Sequence, residues 1–233
     1  MHWNEETVAL ARDALRVNDY YGAIARRIAP LLTPADRVCD AGCGLGELSL
    51  ALRPYCAGVD AVDSSAVAIA ALSAHASEGV RSMCMDVSAL CPERPYDVMI
   101  FCLFGRTEDA LKLAARCCRG TVVLVKRDYA YHRFSAGQVS LGEFTAQCAE
   151  ETLAARGIPY AAARFSAEFG QPFRSLAAAE RFFAIYDRSG EGLSRAEIEA
   201  RLVPGPSEEF PYYLPHEKRL ALFHFRAQDI RGE

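Results

Sequence analysis

The chain of 233 residues is 51% hydrophobic and 24% charged, so it carries enough apolar side chains for one sizeable core. Its 26 basic and 30 acidic residues give a formal net charge of -4, which offers no overall attraction for nucleic acid or for an anionic membrane surface. A nucleic acid is therefore disfavoured as a partner, and a single domain over residues 1–233 is expected.

The cysteines and the first residues indicate the compartment. The nine cysteines are scattered, with no Cys-x-x-Cys pair and no cysteine and histidine cluster at zinc spacing, which predicts buried thiols in a reducing compartment and no metal site. Glu5, Glu6 and Arg12 interrupt the region where a signal peptide needs an apolar run, and no stretch approaches the roughly 18 apolar residues of a membrane span. We expect a cytoplasmic protein that does not bind membranes.

Two helices are predicted over residues 1–36, before the first strand. Asn4 can cap the first helix, whose first turn is acidic and whose apolar residues share one face. The second helix runs from about Asp19 to Leu32 and ends at Thr33-Pro34.

The most informative stretch is a glycine-rich turn between a strand and a helix. Val38 and Cys39 suit a buried strand, and the alternate glycines Gly42, Gly44 and Gly46 let the backbone turn sharply and approach a ligand closely. The following helix aims its free N–H groups at the turn, which favours a ligand with acceptor groups. The third glycine comes one residue too early for the dinucleotide pattern Gly-x-Gly-x-x-Gly, which argues against an NAD or FAD oxidoreductase.

This turn resembles motif I of the class I (Rossmann-like) S-adenosylmethionine (SAM)-dependent methyltransferases. The resemblance rests on the pattern Asp40-x-Gly42-x-Gly44-x-Gly46. It implies that SAM is the cofactor, that S-adenosylhomocysteine (SAH) is the product, and that the turn holds the methionine part of SAM. The implied cofactor contacts in this motif are Asp40, Ala41, Gly42, Cys43, Gly44 and Gly46.

The second predicted strand, 58–63, carries two aspartates that point to opposite faces. Only Asp63 lies at the carboxyl end beside the glycine turn, 17 residues after Gly46, near the separation at which an acidic side chain meets ribose hydroxyls. Asp63 and the adjacent Ser64 are therefore predicted to contact the ribose. A helix cap is the alternative role for Asp63.

The third and fourth predicted strands, 80–85 and 96–101, complete the expected cofactor site. The resemblance implies that Asp86 bonds the adenine amino group and that the Val87 N–H meets a ring nitrogen, although Asp86 alternatively only starts a loop. Phe101 ends the fourth strand, beside the expected position of the methyl group. No Asn/Asp-Pro-Pro-Tyr sequence follows it, which lowers the expectation of a nucleobase substrate.

Strands and helices alternate from Arg37 onward, a pattern typical of an α/β fold with a mostly parallel sheet covered on both faces. The resemblance implies seven strands in the order 3-2-1-4-5-7-6, with the last strand antiparallel. The expected core is 37–169 and 218–226. The later elements are a helix over 108–118 stopped by Gly120, a strand over 121–126, a helix over 141–156, and strands over 160–169 and 220–225.

An aromatic insert of about fifty residues, 170–217, replaces the hairpin that a plain core of this family needs. It is expected to contain two helices, the second with a capping box at Ser194, and to form either a substrate lid or a helical pair that covers the sheet. The N-terminal helices resemble those that partly cover the cofactor in small-molecule methyltransferases. Tyr21 is accordingly assigned to the cofactor. The predicted acceptor contacts are Trp3, Tyr20, Phe104, Tyr131, Phe173, Arg174, Phe183, Tyr212 and Tyr213.

The predicted reaction is transfer of a methyl group from SAM to a small-molecule acceptor by direct in-line displacement. An acceptor hydroxyl or protonated amine has to lose a proton, and His132, His216 and Tyr129 are the candidate bases, each with packing as its alternative role. The alternatives are another SAM-fold enzyme such as an aminopropyltransferase, a methyltransferase acting on RNA or protein, and a binding module without catalysis. A monomer and a homodimer are both compatible with the sequence.

Overall fold

Ten strands and eight α-helices make up the described part of the computed structural model, which comprises residues 3–75 and 78–230. The strands are β1 (Arg37–Ala41), β2 (Gly58–Asp63), β3 (Val80–Cys84), β4 (Tyr96–Cys102), β5 (Cys118–Arg127), β6 (Ala161–Glu168), β7 (Gln171–Phe173), β8 (Val203–Pro204), β9 (Tyr212–Leu214) and β10 (Glu217–Arg226). The helices are α1 (Glu5–Val17), α2 (Tyr20–Ile28), α3 (Glu47–Leu52), α4 (Ala66–Ser73), α5 (Thr107–Cys117), α6 (Ala146–Ala155), α7 (Leu176–Tyr186) and α8 (Arg195–Glu199).

Seven strands form one sheet in the order β3-β2-β1-β4-β5-β10-β6. Only β10 runs antiparallel to its neighbours in this sheet, and the other adjacent strands pair in parallel. Numbered among themselves, these strands have the order 3-2-1-4-5-7-6, so the predicted Rossmann-like α/β fold is confirmed. The order reverses between β1 and β4, and such a reversal opens a crevice at the carboxyl ends of the strands.

The core lies on both faces of this sheet. Along β5, Val122 and Leu124 pack with the residues of α5 and α6, whereas Val123 and Val125 pack with those of α2 and α3. Successive side chains of a strand point to opposite faces, so an apolar run such as this one is buried on both faces of the sheet. Helices on both faces thus leave only the strand ends available for a site.

Two helix ends differ from the predicted ones for local reasons. The α2 helix stops at Ile28 and continues as a 3-10 turn, because Pro30 has no N–H with which to extend the ladder. The helix predicted from Leu141 begins at Ala146, because the Thr145 side chain accepts a hydrogen bond from the Cys148 N–H and caps it.

Two strand ends also correct the predictions. Gly120 lies inside β5 rather than closing a helix, and a Cβ there would come 2.0 Å from the Asp97 carbonyl oxygen. The last strand begins at Glu217 instead of Leu220. Since β10 is antiparallel, these additional residues lie at the carboxyl edge of the parallel strands, where the candidate site is found.

The insert contains a small sheet as well as the two predicted helices. The strands β7, β9 and β8 pair in that order, and α8 has the predicted capping box between Ser194 and Glu197. The apolar side chains of the insert form a separate cluster that also contacts Leu10 of α1 and Phe134. The insert is therefore packed against the N-terminal helix. None of the helices in the described part of the chain has the length and apolar character needed to cross a bilayer.

Candidate active site

The turn after β1 is fixed by hydrogen bonds to the neighbouring strand. The N–H groups of Gly42 and Cys43 both donate to the Val62 carbonyl oxygen, at 2.8 and 3.0 Å. Gly42 and Gly44 have φ angles of +75° and +55°, in the left-handed region that favours glycine. The chain thus presents bare backbone toward the crevice at these two positions.

Asp63, at the end of β2, holds the same turn. Its Oδ2 accepts from the Gly44 N–H at 2.9 Å and its Oδ1 accepts from the Ser65 N–H at 2.9 Å. A carboxylate oxygen accepts more than one hydrogen bond, so both oxygens can still bind a ligand hydroxyl. Ser65 supplies the side-chain cap of α4. Asp60, by contrast, accepts from Arg37 and Arg81 and has no contact with the turn.

Two aromatic rings lie directly over the glycines. A Cβ added to Gly44 would come 3.1 Å from the Trp3 indole, and one added to Gly42 would come 2.1 Å from the Phe104 ring. Trp3 belongs to the segment before α1, and Phe104 follows β4. Both of these predicted acceptor residues therefore lie at the turn itself.

A cavity of about 330 Å³ extends from the turn to the insert, a size within the range of small-ligand sites. It is lined by Trp3 and α1 on one side, by the strand ends of the sheet below, and by the insert residues Gln171, Phe182 and Tyr186 on the other side. The insert is therefore a wall of this cavity.

Most of the predicted cofactor residues line this cavity. Those that do are Tyr21, Asp40, Gly42, Cys43, Gly44, Asp63 and Ser64. Ala41 and Gly46 belong to the strand and turn without lining it. The predicted adenine residues Asp86 and Val87 line an adjoining pocket together with Phe101, and Phe104 borders both spaces. One Asp86 oxygen accepts from the Ser88 N–H at 2.8 Å.

Seven of the nine predicted acceptor residues lie outside the cavity lining. Tyr20 is buried in the core, and Phe173 and Phe183 are buried in the apolar cluster of the insert. The remaining four are held at other places: Arg174 binds Asp13 and Glu209, the Tyr213 hydroxyl contacts Asn18 and Glu168, and Tyr131 and Tyr212 are exposed. Aromatic composition alone did not distinguish packing side chains from lining ones.

Of the three candidate bases, only His216 lines the cavity. It is 4% exposed, neither ring nitrogen has a hydrogen-bond partner among the described residues, and burial lowers its pKa to about 3. The imidazole is therefore neutral at physiological pH. His132 bonds Ser135 at 2.9 Å, and Tyr129 packs edge-on against His216 from outside. No group of three metal-ligating side chains is found in residues 3–75 and 78–230.

The charged side chains of the cavity are separated by sign. The carboxylates Asp40, Glu47 and Asp63 lie at the glycine turn and α3. Burial raises the pKa of Asp40 to about 6, and a 2.6 Å hydrogen bond from Ser49 offsets part of this rise. The cations Arg127, Arg188 and Lys218 lie at the end of β5, after α7 and at the start of β10. We call these three cations the basic wall.

Sequence reasoning missed the basic wall. Lys218 follows Glu217 at the start of β10, on the same face as Leu220, and its Nζ lies over the rings of Phe169 and Tyr20 at 4.3 and 4.8 Å. Burial, and then the charge of Arg127, lower its pKa to about 7. The available signal was the antiparallel last strand, whose first residues must lie at the edge where the parallel strands end.

Substituting Lys218 by methionine should change how stability depends on pH. The folded protein releases the Lys218 proton near pH 7, whereas the unfolded chain keeps it until about pH 10.4, so the unfolded state binds more protons between those values. Stability of the unsubstituted protein should therefore rise with pH relative to Lys218→Met, by up to roughly 1.4 kcal/mol per pH unit. Urea unfolding under reducing conditions between pH 6 and 10 measures this slope.

The matched control is Lys112→Met, at an exposed lysine of α5. Its stability curve should run parallel to that of the unsubstituted protein. Parallel curves for Lys218→Met as well would show that Lys218 stays charged in the folded state up to high pH.

The comparisons with known proteins agree with this geometry. A family model described as a methyltransferase domain matches residues 38–122, which include the glycine turn, Asp63 and Asp86. No curated protein sequence matches the chain.

Three similar solved structures share the fold. A functionally unknown protein from Deinococcus radiodurans is 19% identical, with a TM-score of 0.59 and coverage of 96% of this chain and 100% of its own. The YcgJ protein from Bacillus subtilis is 16% identical, with a TM-score of 0.57 and coverage of 88% and 97%. The N-methyltransferase NodS from Bradyrhizobium japonicum is 12% identical, with a TM-score of 0.51 and coverage of 88% and 94%. By the match over residues 38–122 and by its strand order, this chain is similar to the class I (Rossmann-like) SAM-dependent methyltransferases and shares their fold.

Proposed function

We propose that this chain transfers the methyl group of SAM to a small-molecule acceptor. The observation that carries the proposal is the single cavity that joins the glycine turn and Asp63 to the insert. A cofactor at the turn and an acceptor beside it would share one enclosed space of about 330 Å³. Such a space suits a small metabolite better than RNA or a protein surface.

The residues at the turn fit SAM. Bare backbone at Gly42 and Gly44 admits the methionine part, and the Asp63 oxygens suit the two ribose hydroxyls. The cluster of carboxylates there also favours a cationic cofactor, because unlike charges attract strongly in a partly buried site. The adenine would lie toward Asp86 and Val87, beyond Phe104.

SAM, when bound, supplies an electrophilic methyl group that an acceptor nucleophile attacks in line with the departing sulfur. The contribution of the chain is to align the acceptor and to exclude water, and the rings of Trp3, Phe182 and Tyr186 enclose the cavity for that purpose. Burial lowers the pKa of His216 to about 3, so its neutral ring is a weak base and its proposed part is to hold the acceptor by a hydrogen bond.

Calorimetry with SAM, SAH, decarboxylated SAM and NADH tests the cofactor. We expect micromolar binding of SAM and SAH and none of NADH. Tritiated methyl-SAM incubated with the protein and with separated metabolite, RNA and protein fractions of a cell extract then tests the acceptor. Label in the metabolite fraction is expected, and label in the RNA or protein fraction alone would contradict the proposal.

A further inference from the structure

The basic wall has no acidic partner. Among the described residues, Arg127, Arg188 and Lys218 form no ion pair with a carboxylate, and the Lys218 Nζ lies over the faces of two aromatic rings. The three carboxylates of the cavity belong to β1, α3 and β2, at its other end. Cations gathered in a partly buried space without counter-charges favour binding of an anion.

Three carboxylates near the wall are engaged elsewhere. Asp128 pairs with Arg164 at 3.4 Å. One Glu168 oxygen accepts from the Tyr213 hydroxyl at 2.7 Å and from the His216 N–H of the backbone at 2.8 Å. Asp187 accepts from the Ser189 and Gly192 N–H groups of its own loop and from the Ala136 N–H of the segment after β5. Glu217, the residue before Lys218, is exposed and points to the opposite face of β10, so none of these carboxylates neutralises the wall.

A second, independent observation points to a polar ligand at the same place. The His216 ring is 4% exposed and lines the cavity, and both of its nitrogens are without a partner among the described residues. Buried polar atoms are normally hydrogen-bonded, so an unpartnered pair that lines a cavity indicates a ligand that supplies the bonds.

We propose that the methyl acceptor carries a carboxylate, which binds between Arg127 and Lys218 beside His216. This inference rests on the proposed function and names the class of acceptor. The rings of Phe134, Phe169 and Phe182 line the same half of the cavity, so an aromatic or apolar body with one carboxylate fits best. The wall lies at β5 and β10, away from the glycine turn that would hold the cofactor.

The charge of Lys218 makes this binding depend on pH. Burial lowers the pKa of Lys218 to about 7, so the amine is mostly charged at pH 6 and mostly neutral at pH 8.5. The groups that face it keep their charge over this range: burial lowers the pKa of His216 to about 3, and burial raises the pKa of Cys102 to about 12 and that of Tyr20 well above its usual value. Arg127 remains a cation throughout. Carboxylate affinity should therefore fall between pH 6 and 8.5.

The test compares the affinity of the SAH-loaded protein for each acid with its affinity for the neutral amide of that acid. Benzoate, 3-phenylpropanoate and indole-3-acetate, each paired with its amide, are titrated by calorimetry at pH 6. We expect at least one acid to bind at least ten times more tightly than its amide. Arg127→Gln and Lys218→Met should each reduce that ratio to threefold or less, and the pH dependence should disappear in Lys218→Met.

Arg219→Gln is the matched control, because Arg219 is an exposed arginine next to Lys218 in β10 that does not line the cavity. It should keep the ratio of the unsubstituted protein. Near-equal binding of every acid and its amide, or no saturable binding of any acid, would overturn the inference.

The cofactor titration separates this inference from the proposed function. Absence of SAH binding contradicts the proposed function, and the ratio of acid to amide measured on the protein alone still tests the basic wall. A fivefold loss of SAH affinity in Arg127→Gln with an unchanged ratio would assign the wall to the carboxylate of the cofactor, and would overturn the inference while the proposed function stands.

Discussion

Gly44→Val should weaken SAH binding at least about 100-fold, equivalent to roughly 2.8 kcal/mol. Gly44 has a φ of +55°, which a β-branched residue adopts only under strain, and its N–H donates to Asp63. A Cβ at this position would already come 3.1 Å from the Trp3 ring, so the two methyl groups of valine would displace that ring into the proposed cofactor space. Calorimetry with SAH measures the loss.

A second glycine separates backbone strain from blockage of the site. Gly142 has a φ of +51°, nothing lies within 4 Å of its added Cβ, and it does not line the cavity. Gly142→Val should therefore lose stability and keep its SAH affinity. Undiminished binding by Gly44→Val would mean that the cofactor lies away from the turn.

Asp63→Ala should weaken SAH binding about 10- to 150-fold, or roughly 1.5–3 kcal/mol. The carboxylate is proposed to bind the ribose hydroxyls, and it also holds the Gly44 and Ser65 N–H groups at 2.9 Å each. The substitution removes both the ligand contacts and the support of the turn. Equilibrium binding of SAH, with unfolding curves to correct for stability, measures the effect.

Asp60→Asn is the control for this second prediction, because it removes a charge from the same strand at the end remote from the turn. It should reduce stability, since Asp60 pairs with Arg37 and Arg81, and leave SAH affinity unchanged. Equal losses of affinity in both variants would indicate that Asp63 acts through general stability and not as a ribose ligand.

The part of the cavity at the glycine turn was predictable from the sequence because local residues determine it. Alternate glycines after an apolar strand predict the turn, and the position of Asp63 at the end of the next strand predicts that it meets that turn. The strand order followed from the resemblance and is confirmed. These features depend on short segments whose neighbours the βαβ topology already determines.

The part of the cavity at the insert was not predictable in the same way, because long-range packing determines it. Phe173, Phe182 and Phe183 are all phenylalanines of the apolar cluster of the insert, yet only Phe182 also lines the cavity. Lys218 was missed because the last strand was expected to start at Leu220. Which side of a short helix or strand faces the cavity depends on the docking of the insert on α1, and no local pattern encodes that docking.

The docking of the insert on α1 has a consequence for the order in which the protein folds. The partners of α1 come far later in the chain: Arg174 is separated from Asp13 by 161 positions, and Glu209 from Arg16 by 193. Exposed ion pairs of this kind contribute little, so the attachment rests more on the contact of Leu10 with the cluster around Phe182 and on the hydrogen bond from the Gln171 side chain to the Leu10 carbonyl oxygen. During synthesis α1 is therefore made first, meets its first insert partners only after the chain has passed residue 171, and meets the last of them only after residue 209. Loss of the C-terminal residues would leave the first helix without these contacts, although its own sequence is intact.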